Sequence, residues 1–272
     1  MLAFGFPGIG RVAIGSNGDD LAGNAEHFRL AGGVPLRVMP LGDSITVGFT
    51  DNPGWQHPFE FGYRSGLHRR MKEAGYHYLF VGNSQEPFTN PDRFGDPTHG
   101  GKVSPDMDLR LLNQNGHHGH GGFKIDAIQK HVAGWIKQEQ PDIILLLIGI
   151  NGISAGSTEQ LDSLIQTIYA ADKDVALIVA QIPPSNKFNQ DLIDFNTSIR
   201  ESLVPKYVGH GFTISTVDQH TPFLTDPKDP RSIDTTRFSN GRNHPTNALY
   251  DQMAERWFQG IALLVKSPAD KL

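Results

Sequence analysis

Asp142-Ile143-Ile144-Leu145-Leu146-Leu147-Ile148-Gly149-Ile150-Asn151 is the run on which the fold turns. Ile143 to Ile148 is apolar throughout, with no polar alternation, and lies between Pro141 and Gly149. A run this short and apolar on both faces predicts a central parallel strand covered on each side. Parallel neighbours must be joined by crossovers, usually helical, and the flanking sequence supplies them. Upstream, Ile125, Ile128, Val132 and Ile136 recur at helical spacing and predict one helix ending before Pro141. Downstream, Ser157 and Gln160 have the form of a capping box and open a helix through Leu161, Leu164, Ile165 and Ile168.

The alternation continues outward. Leu36 to Leu41, Tyr78 to Val81, Val175 to Ile182 and Phe212 to Val217 are strand-like, and Pro183-Pro184 halts the third of them. Helical patterns span Tyr63 to Gly75, Leu192 to Val204 and about Thr246 to Val265, the last with Leu249, Met253, Trp257 and Ile261 on one face. Strands alternating with helices imply a three-layer α/β/α domain with a central parallel sheet of about five strands. Residues 1–35 are rich in Gly, Asn and Ala without a sustained period, and read as an N-terminal extension to a 36–272 domain. Arg11 to Ile14 is a candidate strand within it. The loop from Asn83 to His118 is too long to be only a connection and is expected to pack over a site.

The bulk properties narrow the function classes. A net charge of −5 over 272 residues argues against a nucleic-acid surface, which needs clustered Lys and Arg. Arg69-Arg70 is the one doubled basic pair and belongs to a helical pattern. No apolar run approaches the roughly 20 residues that span a bilayer, so no membrane association is expected. The first eight residues lack the basic and apolar regions of a signal peptide. Without cysteine there is no disulfide, thiol nucleophile or thiolate ligand. Oligomeric state is not encoded in any pattern here.

Ligands of doubly wound sheets bind beyond the carboxyl ends of the strands. Three polar clusters fall at such ends: Gly42-Asp43-Ser44, Gly149-Ile150-Asn151, and the loop carrying His244 before the final helix. Each residue taken singly has a bland reading: Ser44 as a helix N-cap, Asn151 as a turn cap, Gly122 as a turn glycine, and His244 as one of 12 histidines. Their convergence is what carries meaning, because a serine hydroxyl is a weak nucleophile until a neighbouring base removes its proton.

Together, Gly42-Asp43-Ser44-Ile45-Thr46, Gly122 before a helix, Gly149-Ile150-Asn151 and His244-Pro245 resemble the SGNH (GDSL-type) hydrolases in order and spacing, over residues 36 to 263. Within them the chain looks most like the acetylxylan esterases of carbohydrate esterase family three. That likeness lies in Val38 to Ser44, Gly62-Tyr63-Arg64, Phe80-Val81-Gly82 and Gly119-His120-Gly121-Gly122-Phe123. The resemblance implies a flavodoxin-like fold and a serine esterase acting on short-chain, acetyl esters, with carbohydrate as the carrier. It implies Ser44 as nucleophile, His244 as base, and the Ser44 and Gly122 amides with the Asn151 side chain as oxyanion hole. It implies no cofactor and no metal, and a secreted or periplasmic location. Asp43 is expected to tie down turn amides beside the nucleophile. Trp55 and His120 are candidate substrate contacts, with His57, Phe59 and Phe61 completing an aromatic platform after the nucleophile loop.

The match breaks behind the histidine. The family places an aspartate three residues before it, and here that residue is Gly241; Gly152 likewise stands where an aspartate is common. Three replacements are open: an amide oxygen from Asn240 or Asn243, a backbone carbonyl that leaves a Ser-His dyad, or an acid from elsewhere, Asp234 being the nearest upstream. Two rival classes remain. His117, His118 and His120 with His99 suggest a metal site, although adjacent histidines do not readily converge on one ion. A non-catalytic carbohydrate-binding relative, or a lipase or lysophospholipase of the same superfamily, also fits the altered acid position.

Overall fold

The computed structural model describes residues 34–48, 62–83, 114, 116–239 and 242–265. The N-terminal extension, Trp55, His57, Phe59, Phe61, His99 and Asn240 lie outside the described residues, as does most of the long loop after Asn83.

The five expected strands are present: β1 (Leu36–Gly42), β2 (Tyr78–Phe80), β4 (Ile143–Leu147), β5 (Ala176–Gln181) and β6 (Ile214–Asp218), in the parallel order β2-β1-β4-β5-β6. A sixth, the two-residue β3 (His118–Gly119), pairs with β1 at Leu41 and Gly42, beyond the three-residue register of β2. It was too short to show as a hydrophobic pattern. Chain order reverses between β1 and β4, so the crevice where a parallel sheet binds ligands opens at their carboxyl ends.

Strand alternation divides the interior into two cores. Val38, Ile143, Leu145 and Leu147 face one side with α2 (Tyr63–Glu73) and α8 (Asn247–Leu264). Met39, Leu41, Ile144 and Leu146 face the other, with α3 (Ile125–Gln129), α4 (Val132–Glu139) and α5 (Ser157–Ala171). Every residue of β4 is buried, which is why its sequence shows no period of two. Between α2 and α8, Arg70 donates to Asp251 and Glu255, and Arg69 to Asp251. The doubled arginine is therefore a helix-pairing device.

Three helical expectations need correction. The pattern from Ile125 to Ile136 is two helices, because the His131 amide bonds three residues back to Ile128 and closes the first turn. The pattern from Leu192 to Val204 is α6 (Gln190–Ser198), a π turn over Ile199–Leu203 and α7 (Val204–Gly209). Pro205 has no N–H for the α ladder, and the wider turn precedes it. Ser157 is the first residue of α5 rather than its cap, and its Oγ accepts from the Ser154 amide.

Candidate active site

β1 ends at Gly42, where a side chain is excluded: a Cβ there would stand 2.0 Å from the Leu147 carbonyl oxygen and 2.6 Å from Thr46 Oγ1. The chain then turns into the one-turn α1 (Ser44–Val47). Asp43, not Ser44, is its N-cap, its Oδ1 accepting from the Ile45 amide at 3.0 Å. Ser44 is thus the first helical residue, and its hydroxyl is free for another partner.

That partner is His244. Its Nε2 lies 2.8 Å from Ser44 Oγ, across 200 residues of sequence, and the two residues are only 8% and 4% exposed. The loop before α8 holds the imidazole in place. Phe238 and Pro245 form an antiparallel bridge, and the His244 carbonyl accepts from the Ser239 amide and hydroxyl. The Asn186 amide after β5 also donates to the Arg242 carbonyl.

The far end of α1 is anchored by Arg64 on α2, a fully buried residue whose Nε and Nη2 donate to the Thr46 and Val47 carbonyls at 3.2 and 2.9 Å. A cation suits these carbonyls, because they carry the negative end of the helix dipole. The neighbouring Tyr63 hydroxyl donates to Thr46 Oγ1. The sequence marked this Tyr-Arg pair only as part of a resemblance; its contact with the nucleophile turn is a tertiary fact.

Gly122 occupies the third position of a tight turn, closed by the Phe123 amide donating to the His120 carbonyl, and its φ of 69° is left-handed. Glycine meets that backbone requirement without strain. The turn reaches the nucleophile because β3 pairs with β1 and the His120 amide donates to the Gly42 carbonyl at 2.9 Å. From the end of β4, Asn151 Nδ2 donates to the Phe123 carbonyl at 3.0 Å. One amide hydrogen is used there; the other remains for a ligand.

His120, the candidate substrate contact, is half-buried. Its ring stacks on Phe123 and Trp135, with centroids 4.8 and 4.7 Å apart, while His118 stacks on Trp135 at 4.4 Å. Burial pushes the His118 and His120 imidazoles down to about 3 and about 4. These rings lie against one another rather than converging, and among the described residues no group of three His, Cys, Asp or Glu is placed to hold a metal. Asp234 caps its own turn: it accepts from the Thr236 amide and hydroxyl and from Arg237 Nε. Asn243 is half-buried beside the histidine. Among the described residues no helix is long and apolar enough to cross a membrane.

No family model matches the chain. A multidomain esterase of Ruminococcus flavefaciens is 25% identical over 85% of this chain, which spans 29% of that protein's length. Among solved structures, a family 3 carbohydrate esterase of Clostridium thermocellum superposes with a TM-score of 0.62 at 24% identity, covering 85% of this chain and 98% of that one. A family 3 carbohydrate esterase of Talaromyces cellulolyticus gives 0.60 at 20% identity, again over 85% and 98%. A lipase/acylhydrolase of Enterococcus faecalis gives 0.54 at 15% identity over the same shares. The chain has the parallel α/β fold shared by the family 3 carbohydrate esterases and the GDSL-type lipases.

Proposed function

We propose that the protein is a serine carboxylic ester hydrolase that removes short acyl groups, acetyl above all, from carbohydrate. The observation that carries this reading is the 2.8 Å contact between Ser44 Oγ and His244 Nε2 in a largely buried setting at the sheet's switch point. The Ser44 hydroxyl attacks the ester carbonyl as Nε2 takes its proton, and the same proton passes to the departing alcohol. Water, activated by His244 in turn, then releases the acid from the acyl-serine. The amides of Ser44 and Gly122 and the second hydrogen of Asn151 Nδ2 receive the oxyanion; helix-start amides such as that of Ser44 have no intrahelical acceptor. The acetyl and carbohydrate preference draws support from the neighbours, which include an acetyl esterase captured with acetate as well as the family 3 carbohydrate esterases.

The test pairs hydrolysis with labelling. Wild type is expected to cleave p-nitrophenyl acetate faster than longer acyl esters, to release acetate from acetylated xylan, and to take up one fluorophosphonate at Ser44. Ser44→Ala is expected to lose all three. Hydrolysis retained in Ser44→Ala would falsify the nucleophile assignment; a labelled but xylan-inactive wild type would remove the carbohydrate preference.

A further inference from the structure

An imidazolium formed beside a serine nucleophile needs a nearby negative charge, and the position three residues before His244 is a glycine, Gly241. Asp234 is occupied by Thr236 and Arg237. A different carboxylate lies on the nucleophile's own side. Asp43 is fully buried, and while its Oδ1 accepts from the Ile45 amide, its equally buried Oδ2 has no hydrogen-bond partner among the described residues. A helix cap needs only one acceptor oxygen, which an asparagine or serine supplies without burying an ionisable group. A buried carboxylate with one oxygen unpaired is costly as structure alone.

We propose that Asp43 is a positioning residue for His244, its carboxylate supplying through space the negative charge that stabilises the imidazolium formed when Ser44 attacks. This rests on the serine esterase reading above. Asp43 directly precedes Ser44, whose Oγ touches the imidazole at 2.8 Å, and the charge of His244 acts on the Asp43 carboxyl. No proton moves to Asp43: the Ser44 proton goes to Nε2 and returns to the leaving alcohol, and Asp43 acts in its ionised form, which prevails above about pH 7. Asp43, Ser44 and His244 are all largely buried, so the interaction is screened far less than one between exposed charges.

The surroundings fit this role. From α2, the neutral Tyr63 hydroxyl is held by Thr46 and the Arg64 guanidinium by the Thr46 and Val47 carbonyls; from the α8 loop comes His244 itself. Burial pushes the Asp43 carboxyl up to about 7, against the pull of the Ile45 amide and of His244. Its ionisation therefore falls near neutral pH.

Asp43→Asn keeps an oxygen for the Ile45 amide and deletes the charge. Observed by NMR with labelled histidine, His244 is expected to titrate lower in this variant than in wild type. The rising limb of kcat/KM against pH should move the same way, with kcat down about tenfold or more and KM unchanged. A His244 titration that stays in place overturns the proposal, whatever the activity does. A second measurement does not depend on that variant folding: in His244→Gln, the Asp43 carboxyl carbon is expected to titrate higher than in wild type, and an unmoved value overturns the coupling. Both titrations are read without substrate, so an inactive protein would refute the esterase reading and leave this coupling to be judged separately.

Discussion

Gly42→Ala probes the closest backbone approach in the sheet. The added methyl would meet the Leu147 carbonyl oxygen at 2.0 Å and its carbon at 3.0 Å, with Thr46 Oγ1 at 2.6 Å. Ordinary contact begins near 3.5 Å, so β1 and β4 must part by about 1.5 Å at their paired ends. Neither strand can yield cheaply. Gly42 and Leu147 are register partners, and the Leu147 side chain is fully buried in the core against α2 and α8. Overpacking a rigid interior costs about 1–3 kcal/mol, and a backbone clash of this depth belongs at the upper end. For a domain of this size that lowers the melting temperature by roughly 6–12 °C. The same displacement carries Ser44 away from His244 and loosens the His120 amide from the Gly42 carbonyl. A 1 Å error in such geometry costs on the order of 100-fold in rate. Gly134→Ala is the control: it lies inside α4 with nothing within 4 Å of a new Cβ, and should stabilise by about 0.5–1 kcal/mol. Thermal melts and p-nitrophenyl acetate kinetics on both variants decide the matter. If Gly42→Ala melts with wild type and keeps its rate, glycine is not required by the strand contact.

Asn151→Ala removes the proposed oxyanion amide and releases the Phe123 carbonyl; kcat should fall about 100- to 1,000-fold, and an unchanged kcat in steady-state assays would exclude Asn151 from the oxyanion site. Acid stability follows from the stacked histidines. His118 and His120 are held near 3 and 4 by burial, so below the unfolded value of 6.5 the unfolded chain binds protons that the folded chain refuses. Stability is then fully present above about pH 6.5 and falls as pH drops towards 4 and 3, by up to roughly 1.4 kcal/mol per unit for each ring. His118→Phe keeps the stack on Trp135 without the proton; urea midpoints at pH 7.5 and 4.5 should differ less in the variant than in wild type, and equal losses would show that other groups govern the acid limb.

The primary sequence by itself determined the layer architecture, because burial on both faces of β4 leaves an uninterrupted run from Ile143 to Leu147, while the α8 face repeats at Leu249, Met253, Trp257 and Ile261. It also marked Ser44, Asn151 and His244, which fall where a parallel sheet binds ligands, and Gly122 through the family resemblance. What it did not determine depended on contacts between distant segments. β3 exists only through its pairing with Leu41 and Gly42, and two residues make no pattern of their own. The split at Lys130-His131 and the π turn before α7 are local backbone solutions hidden beneath a continuous apolar stripe. Arg64 reaches the carbonyls of α1 because α2 folds back onto that turn. Asp43 looks like an ordinary cap in the linear chain. Only the tertiary structure buries it completely, leaves Oδ2 without a partner among the described residues, and brings His244 to the adjacent serine. Periodicity reports what a segment does with its own backbone; desolvation and charge depend on everything packed around it.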